Sequence, residues 1–156
     1  MVLIAKKEKP TAINRRGNKI EYNGYVFDST KEYKFFKQYI ENCGYKYEIH
    51  PQFTLYQKFG IKHVNFRGIT YKPDFVIYNE DGTIKHVYDV KNGFSVYDID
   101  TGVNLRFKLF AHQFNVPVEV VAVRKDYFKL KILGTTKRFD IKQLKSVDYD
   151  WIDLCN

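Results

Sequence analysis

The apolar and polar positions of this chain change period several times, and each change marks an element. Residues 1–20 show no apolar period; Lys6, Lys7, Lys9, Arg15, Arg16 and Lys19 are interleaved with Pro10 and Gly17, which reads as a basic arm. Lys19–Phe27 follows as a short strand or hairpin, because Asn23-Gly24 favours the positive φ angles of a type I′ turn. A helix then opens at Phe27-Asp28-Ser29-Thr30-Lys31-Glu32, where Ser29 can cap and Glu32, three residues on, can close a capping box. Tyr33, Phe36, Ile40 and Cys43 repeat at helical spacing until Gly44 supplies a stop.

Beyond Gly44 the runs shorten and become aromatic and β-branched. Tyr45–Ile49, Phe53–Tyr56 and Ile69–Tyr78 read as strands separated by Pro51, Gly60 and Gly68. Glu80-Asp81-Gly82-Thr83 reads as a hairpin turn from which Lys85–Lys91 returns. Phe107, Phe110, Ala111 and Phe114 line one side of a second helix over Asn104–Asn115, and Pro117 follows its end. Val118–Val123 is nearly continuous in β-branched residues, as a buried strand is; a helix between two strands is the usual parallel crossover. A basic hairpin closes the pattern, Tyr127–Leu133 and Lys137–Ile141 joined through Gly134.

The expected class is therefore α/β, with residues 21–156 forming one domain behind the arm of residues 1–20. A length of 156 residues suits a single core, and 44% hydrophobic residues with 13 Tyr and 13 Phe exclude a disordered chain. No apolar run is long enough for a membrane helix and the start lacks a leader's apolar stretch, so a soluble, cytoplasmic protein is expected. Cys43 and Cys155 are too few and too far apart for a disulfide scaffold or a zinc site.

Charge narrows the function classes. The net charge is +8, concentrated in residues 1–20, with six basic residues against one acidic, and residues 104–145, with ten against three. Such segments fit a polyanion, nucleic acid first, since each Lys or Arg on a phosphate releases condensed counterions; a solubilising surface fits the charge alone equally well. There is no Gly-rich phosphate loop and no Gly-x-Ser-x-Gly elbow. His50, His63, His86 and His112 have no zinc-helix spacing and receive no metal role. Aromatics beside lysine, as in Tyr71-Lys72 and Tyr127-Phe128-Lys129, can stack unpaired bases, although most aromatics belong to the core.

Three tripeptides have the form acid-x-Lys, at Glu32, Asp89 and Asp140, about the number chance allows, so geometry must choose among them. A two-residue loop at Asp81-Gly82 pairs Glu80 with Thr83 and, counted back along both strands, Asp74 with Asp89. Their carboxylates then share a face, with Cβ atoms about 5 Å apart, and Lys91 shares it too. Such a pair repels unless a positive charge lies between, and hard oxygen donors favour Mg²⁺ or Mn²⁺. Lys91 would orient or help deprotonate a bound water and stabilise phosphate charge; the plainer alternative is a solvated ion-pair cluster on an outer sheet face.

Pro73-Asp74, a fifteen-residue step and Asp89-Val90-Lys91 resemble the PD-(D/E)xK nuclease superfamily, and the order helix, strands, helix, strand resembles its αβββαβ core. Together with Phe27-Asp28-Ser29, Pro51-Gln52-Phe53 and Arg106-Phe107-Lys108-Leu109-Phe110, the pattern is similar to a small phage-encoded branch of it. The resemblance implies a restriction-endonuclease-like fold with a mixed sheet, and a metal-dependent DNA endonuclease, of a kind that includes enzymes resolving Holliday junctions. It implies Asp74, Asp89 and the Val90 carbonyl as ligands of Mg²⁺ or Mn²⁺, Lys91 as the catalytic lysine, and Glu32 as an acid completing the site, a role open beside that of helix cap. Arg106 and Lys108 resemble residues that face the scissile phosphate, while Arg15, Arg16 and Lys72 are further candidates for gripping DNA. Cutting a junction twice implies a homodimer. The alternative is a DNA-binding or regulatory module that keeps the fold without cutting.

Overall fold

The computed structural model describes residues 2–3, 18–95 and 97–155. In chain order its elements are β1 (Val2–Leu3), β2 (Ile20–Tyr22), β3 (Tyr25–Phe27), α1 (Thr30–Phe35), β4 (Lys46–Ile49), β5 (Phe53–Tyr56), β6 (Phe59–Ile61), β7 (Val64–Phe66), β8 (Ile69–Tyr71), β9 (Phe75–Tyr78), β10 (Ile84–Val90), α2 (Thr101–Phe114), β11 (Glu119–Val123), β12 (Phe128–Lys131) and β13 (Lys142–Leu144). A π-helical turn, Phe36–Ile40, continues α1, and a 3₁₀ turn, Trp151–Cys155, follows β13. The fold is mixed α/β around a central six-stranded sheet in the order β13-β12-β11-β10-β9-β4. That sheet is itself mixed: β10 and β11 run parallel, joined through α2, while the other neighbours are antiparallel.

Strand alternation explains why both faces are covered. Phe75, Ile77, Tyr88 and Val90 point into one core with Phe27, Phe35, Phe36 and Ile40 from the α1 side. Val76, Val87 and Val120 point into the other, against Phe107 and Phe110 of α2. The π turn is marked by the Glu41 N–H donating to the carbonyl of Phe36, five residues back. The two neighbouring phenylalanines Phe35 and Phe36 are both buried beside it.

Several local expectations hold. Asn23 and Gly24 both adopt positive φ between β2 and β3, and Gly44 lies at φ +83° after α1. The Ser29 hydroxyl accepts from the Glu32 N–H, as a cap should. Val2–Leu3 pairs with Ile20 and Glu21, so the arm includes a strand; Arg15 and Arg16 lie outside the described residues.

Other expectations need correction. Ile69–Tyr78 is not one strand: Pro73 has no N–H to give a ladder and restricts Lys72, so the chain breaks there. Ile69–Tyr71 instead pairs with β5 in a separate two-stranded sheet. The hairpin β6–β7 had no sequence signal, since its two-residue tip, Lys62-His63, holds neither Gly nor Asn; Lys62 itself adopts φ +53°. Helix α2 starts three residues earlier than expected, where the Asp100 carboxylate caps the Val103 N–H. The partner of β12 is Lys142–Leu144, whereas residues 137–141 form no strand.

The turn after β9 is also different. Asn79 pairs with Thr83 around a three-residue loop, and only Gly82 has positive φ, at +84°. Tyr78 accordingly faces Ile84. An irregularity between Ile84 and His86 then inserts one residue, after which Ile77, Val76 and Phe75 face His86, Val87 and Tyr88. The extra loop residue and the bulge cancel, and the expected register is restored before Asp74 and Asp89 are reached.

Candidate active site

One step beyond the last ladder pair, Phe75 with Tyr88, the strands bring Asp74 and Asp89 together. Asp74 meets β10 with its side chain: Oδ2 accepts from the Val90 N–H at 2.6 Å. Its own N–H donates to the Tyr88 carbonyl, and its carbonyl accepts from the His50 N–H. Both backbone and carboxylate of Asp74 are therefore fixed before any ligand arrives.

Asp89 is the most enclosed of the acids on this sheet face, its side chain 6% exposed. Oδ2 accepts from the Tyr71 hydroxyl at 2.9 Å, and Oδ1 lies 2.5 Å from Lys91 Nζ. That second contact is a close, charge-assisted ion pair, so both oxygens of Asp89 are engaged, one by a phenol and one by an ammonium. Lys91, at 27% exposure, reaches from the same face towards solvent.

Glu32 joins from α1. Its Oε2 accepts from the Asp28 N–H and lies 3.1 Å from His50 Nε2. Capping and site roles coincide in one carboxylate: the reciprocal leg of the cap goes to Asp28 rather than Ser29, and the same oxygen faces the cluster. His50 Nε2 is also 3.9 Å from Asp74 Oδ1 and 4.0 Å from Asp28 Oδ2. Asp28, Glu32 and His50 offer ligand atoms within 4.8 Å of one another, a grouping able to hold a cation.

The electrostatics follow from this crowding. Burial, then the charge of Asp89 and that of Glu32, pushes the Asp74 carboxyl well above the usual carboxylate range; Lys91 and the Val90 N–H only partly oppose this. Burial works against the Lys91 ammonium, yet Asp89, Asp74 and Glu32 together hold its pKa above the ordinary lysine value. Burial and Asp89 raise the Tyr71 phenol far enough to keep it a donor.

Glu32, Asp74, Asp89 and Lys91 are thus brought together, the last three as their spacing predicts and Glu32 where the family resemblance places an acid. Val90 ends β10 between the last two, supplying the N–H that fixes Asp74. Lys72 is exposed immediately before Pro73-Asp74. Arg106 and Lys108 are exposed on α2, and Lys108 extends beside Gly134, where an added Cβ would fall 2.4 Å from its Cε. Among the described residues neither makes an ion pair or hydrogen bond with the carboxylates.

Two participants were missed. His50 was given no metal role because no zinc spacing surrounds it, but it enters the cluster from the end of β4 in a left-handed conformation, φ +52°. Tyr71 belongs to the small sheet and reaches Asp89 across the fold, held edge-on against Phe107 and Phe110. The signal available for His50 was its position beside Pro51; nothing local marked Tyr71. A basic groove between α1 and the end of β11, lined by Lys31, Lys34, Lys37, Arg124 and Lys125, was also unforeseen.

The donor set suits a hard divalent cation: carboxylates crowded at the end of neighbouring strands, with a lysine paired to one of them. No curated protein and no solved structure matches the chain. A family model described as "Protein of unknown function (DUF1064)" matches residues 14–146, and the chain belongs to that family.

Proposed function

We propose that this protein is a metal-dependent DNA endonuclease of the PD-(D/E)xK type, acting on branched DNA such as Holliday junctions as a homodimer. The observation that carries the reading is the convergence of Glu32, Asp74, Asp89 and Lys91 on one buried corner. The order α1, β4, β9, β10, α2, β11 supports a restriction-endonuclease-like core, and the basic groove beside α1 supports a polyanionic substrate.

In this reading Asp74, Asp89 and the Val90 carbonyl would hold Mg²⁺ or Mn²⁺. The ion would supply Lewis acidity towards a phosphoryl oxygen and a water acidic enough to ionise near neutral pH. The chain's own residues do the rest. Tyr71 and the Val90 N–H fix one oxygen of Asp89 and of Asp74, leaving the others to face the site. Lys91, a donor with three hydrogens, orients the attacking water and stabilises charge on the phosphate while Asp89 anchors it. His50 holds Glu32 in place beside them. Lys72 and Arg106 are the exposed cations assigned to flanking phosphates; Arg15 and Arg16 extend that grip from the arm.

The test is cleavage of labelled four-way-junction and linear duplex DNA in Mg²⁺ or Mn²⁺, beside Asp89→Asn, Lys91→Ala and a Ca²⁺ control. The parent should cut, and both variants should bind without cutting. Binding by the parent with no cleavage of any substrate in either metal would overturn the enzyme and leave a DNA-binding module.

A further inference from the structure

Between the two site residues His50 and Asp74 the chain makes an excursion whose root joins the α2-side core through Leu55 and Tyr71 and whose outer hairpin lies outside both cores. The His50 N–H bonded to the Asp74 carbonyl closes its neck. Strands β5 and β8 form its root, which α2 holds through Phe53 against Phe110 and Phe114. Beyond the root, β6 and β7 pair only with each other, and every residue from Tyr56 to Gly68 is exposed.

The register sets Phe59 opposite Phe66 and Ile61 opposite Val64, so all four side chains share one face of this hairpin. They are 44–58% exposed. Phe59 and Phe66 stack with ring centroids 5.0 Å apart and planes 11° from parallel, and Tyr56 meets Phe59 edge-on. A two-stranded hairpin is marginal in water by itself, and one displaying such a face calls for a partner.

Charge identifies the partner. From Pro51 to Pro73 there is no acidic residue, while Lys58, Lys62, Arg67 and Lys72 are all exposed. A second copy docking here would set two such arms against each other. A nucleic acid would meet the cations with phosphates and the parallel rings with bases, which stack on aromatic side chains without sequence preference. We infer that the β6–β7 hairpin is a DNA-binding arm whose Phe59–Phe66 stack receives unpaired bases, so that the favoured substrate has a single-stranded or opened segment beside the paired region. This rests on the proposed DNA substrate and adds the DNA structure that the site's own geometry does not specify.

The experiment is fluorescence anisotropy in Ca²⁺, where binding is read apart from cleavage, with the 156-residue chain and labelled 30-mers: a paired duplex, the same duplex with a three-nucleotide bulge, and a single strand. The parent should prefer the bulged and single-stranded probes, and Phe59→Ala/Phe66→Ala should lose about tenfold or more on those two while changing little on the duplex. Because the pair lies outside both cores, its melting temperature should match the parent's. Lys62→Gln should weaken all three probes alike. Equal loss on every probe, or no loss, overturns the inference. So does sedimentation showing that the double variant splits a parent dimer, which would make the hairpin a self-association surface. Preference for unpaired DNA without cleavage in Mg²⁺ or Mn²⁺ would refute the nuclease and retain the arm; cleavage with no arm-dependent preference would do the reverse.

Discussion

Replacing Asp74 by Asn should make the metal-free protein more stable while abolishing cleavage. Asp74 and Asp89 stand one step past the end of an antiparallel ladder, a position that puts Cβ atoms about 5 Å apart and leaves the carboxylates at a similar separation. Two charges at that distance in an effective dielectric near 20 repel by about 3 kcal/mol. Burial is the largest burden on the Asp74 charge, Asp89 and Glu32 add repulsion, and Lys91 and the Val90 N–H offset part of it, leaving a net cost on the order of 2 kcal/mol. The amide oxygen of Asn can still accept from the Val90 N–H, so the contact that positions the loop survives. For a chain of this size such a gain corresponds to a rise of about 4–8 °C in Tm. Differential scanning calorimetry in EDTA at neutral pH would measure it. Adding Mn²⁺ should then raise the parent's Tm and leave that of Asp74→Asn nearly unchanged, because mass action acts on the form that binds. Asp89→Asn should show no such gain, since Asp89 is the partner of both Lys91 and Tyr71. A variant at Asp74 that melts at or below the parent in EDTA would refute the argument that its charge is held against burial and against the repulsion of its neighbours.

Three further outcomes follow from other contacts. Tyr71→Phe removes the hydroxyl donor to Asp89 Oδ2 and should cost about 1–3 kcal/mol in a urea titration, with cleavage reduced as well; an unchanged midpoint would mean Asp89 does not depend on it. Glu119→Ala strips the fully buried His86 and the Tyr149 hydroxyl of their shared acceptor and should cost about 3 kcal/mol, releasing the segment after β13; a loss under about 1 kcal/mol would contradict the buried network. Burial, reinforced by Glu119 for Tyr88 and by Tyr88 for Tyr149, holds both phenols well above their ordinary value. Because the folded state keeps these protons while the unfolded chain loses them near pH 10, stability should fall as pH rises past that point; phenolate absorbance showing both rings ionising reversibly near pH 10 in the folded protein would refute it.

Much of the fold could be read from the chain because its signals are local: Asn23-Gly24, the Ser29 cap, the β-branched run at 118–123 and the aromatic face of α2. The meeting of Asp74 with Asp89 was reached by a less secure route. The turn holds one residue more than Asp81-Gly82 implies, and the bulge before His86 takes the shift back. What stayed hidden depends on distant contacts or on missing turn chemistry. Tyr71 faces Asp89 only because Pro73 ejects β8 from the central sheet into pairing with β5. His50 meets Glu32 from eighteen residues away through a backbone conformation that its side chain does not advertise. Lys62-His63 makes a hairpin without the residues that usually announce one.

The single hydrogen bond from His50 to Asp74 has a consequence for how the molecule can be remodelled. It ties the two ends of the excursion together beside the carboxylates, so what lies beyond β5 and β8 is attached to the site but does not shape it. Closure entropy grows slowly with loop length, about 0.6 kcal/mol for each doubling, so the outer hairpin can be shortened, lengthened or exchanged at small thermodynamic cost. The domain is in this sense built like a tool with an interchangeable bit: the carboxylate corner and Tyr71 stay bolted to the sheet while the outer hairpin, the arm proposed to meet DNA, is exchanged beyond β5 and β8.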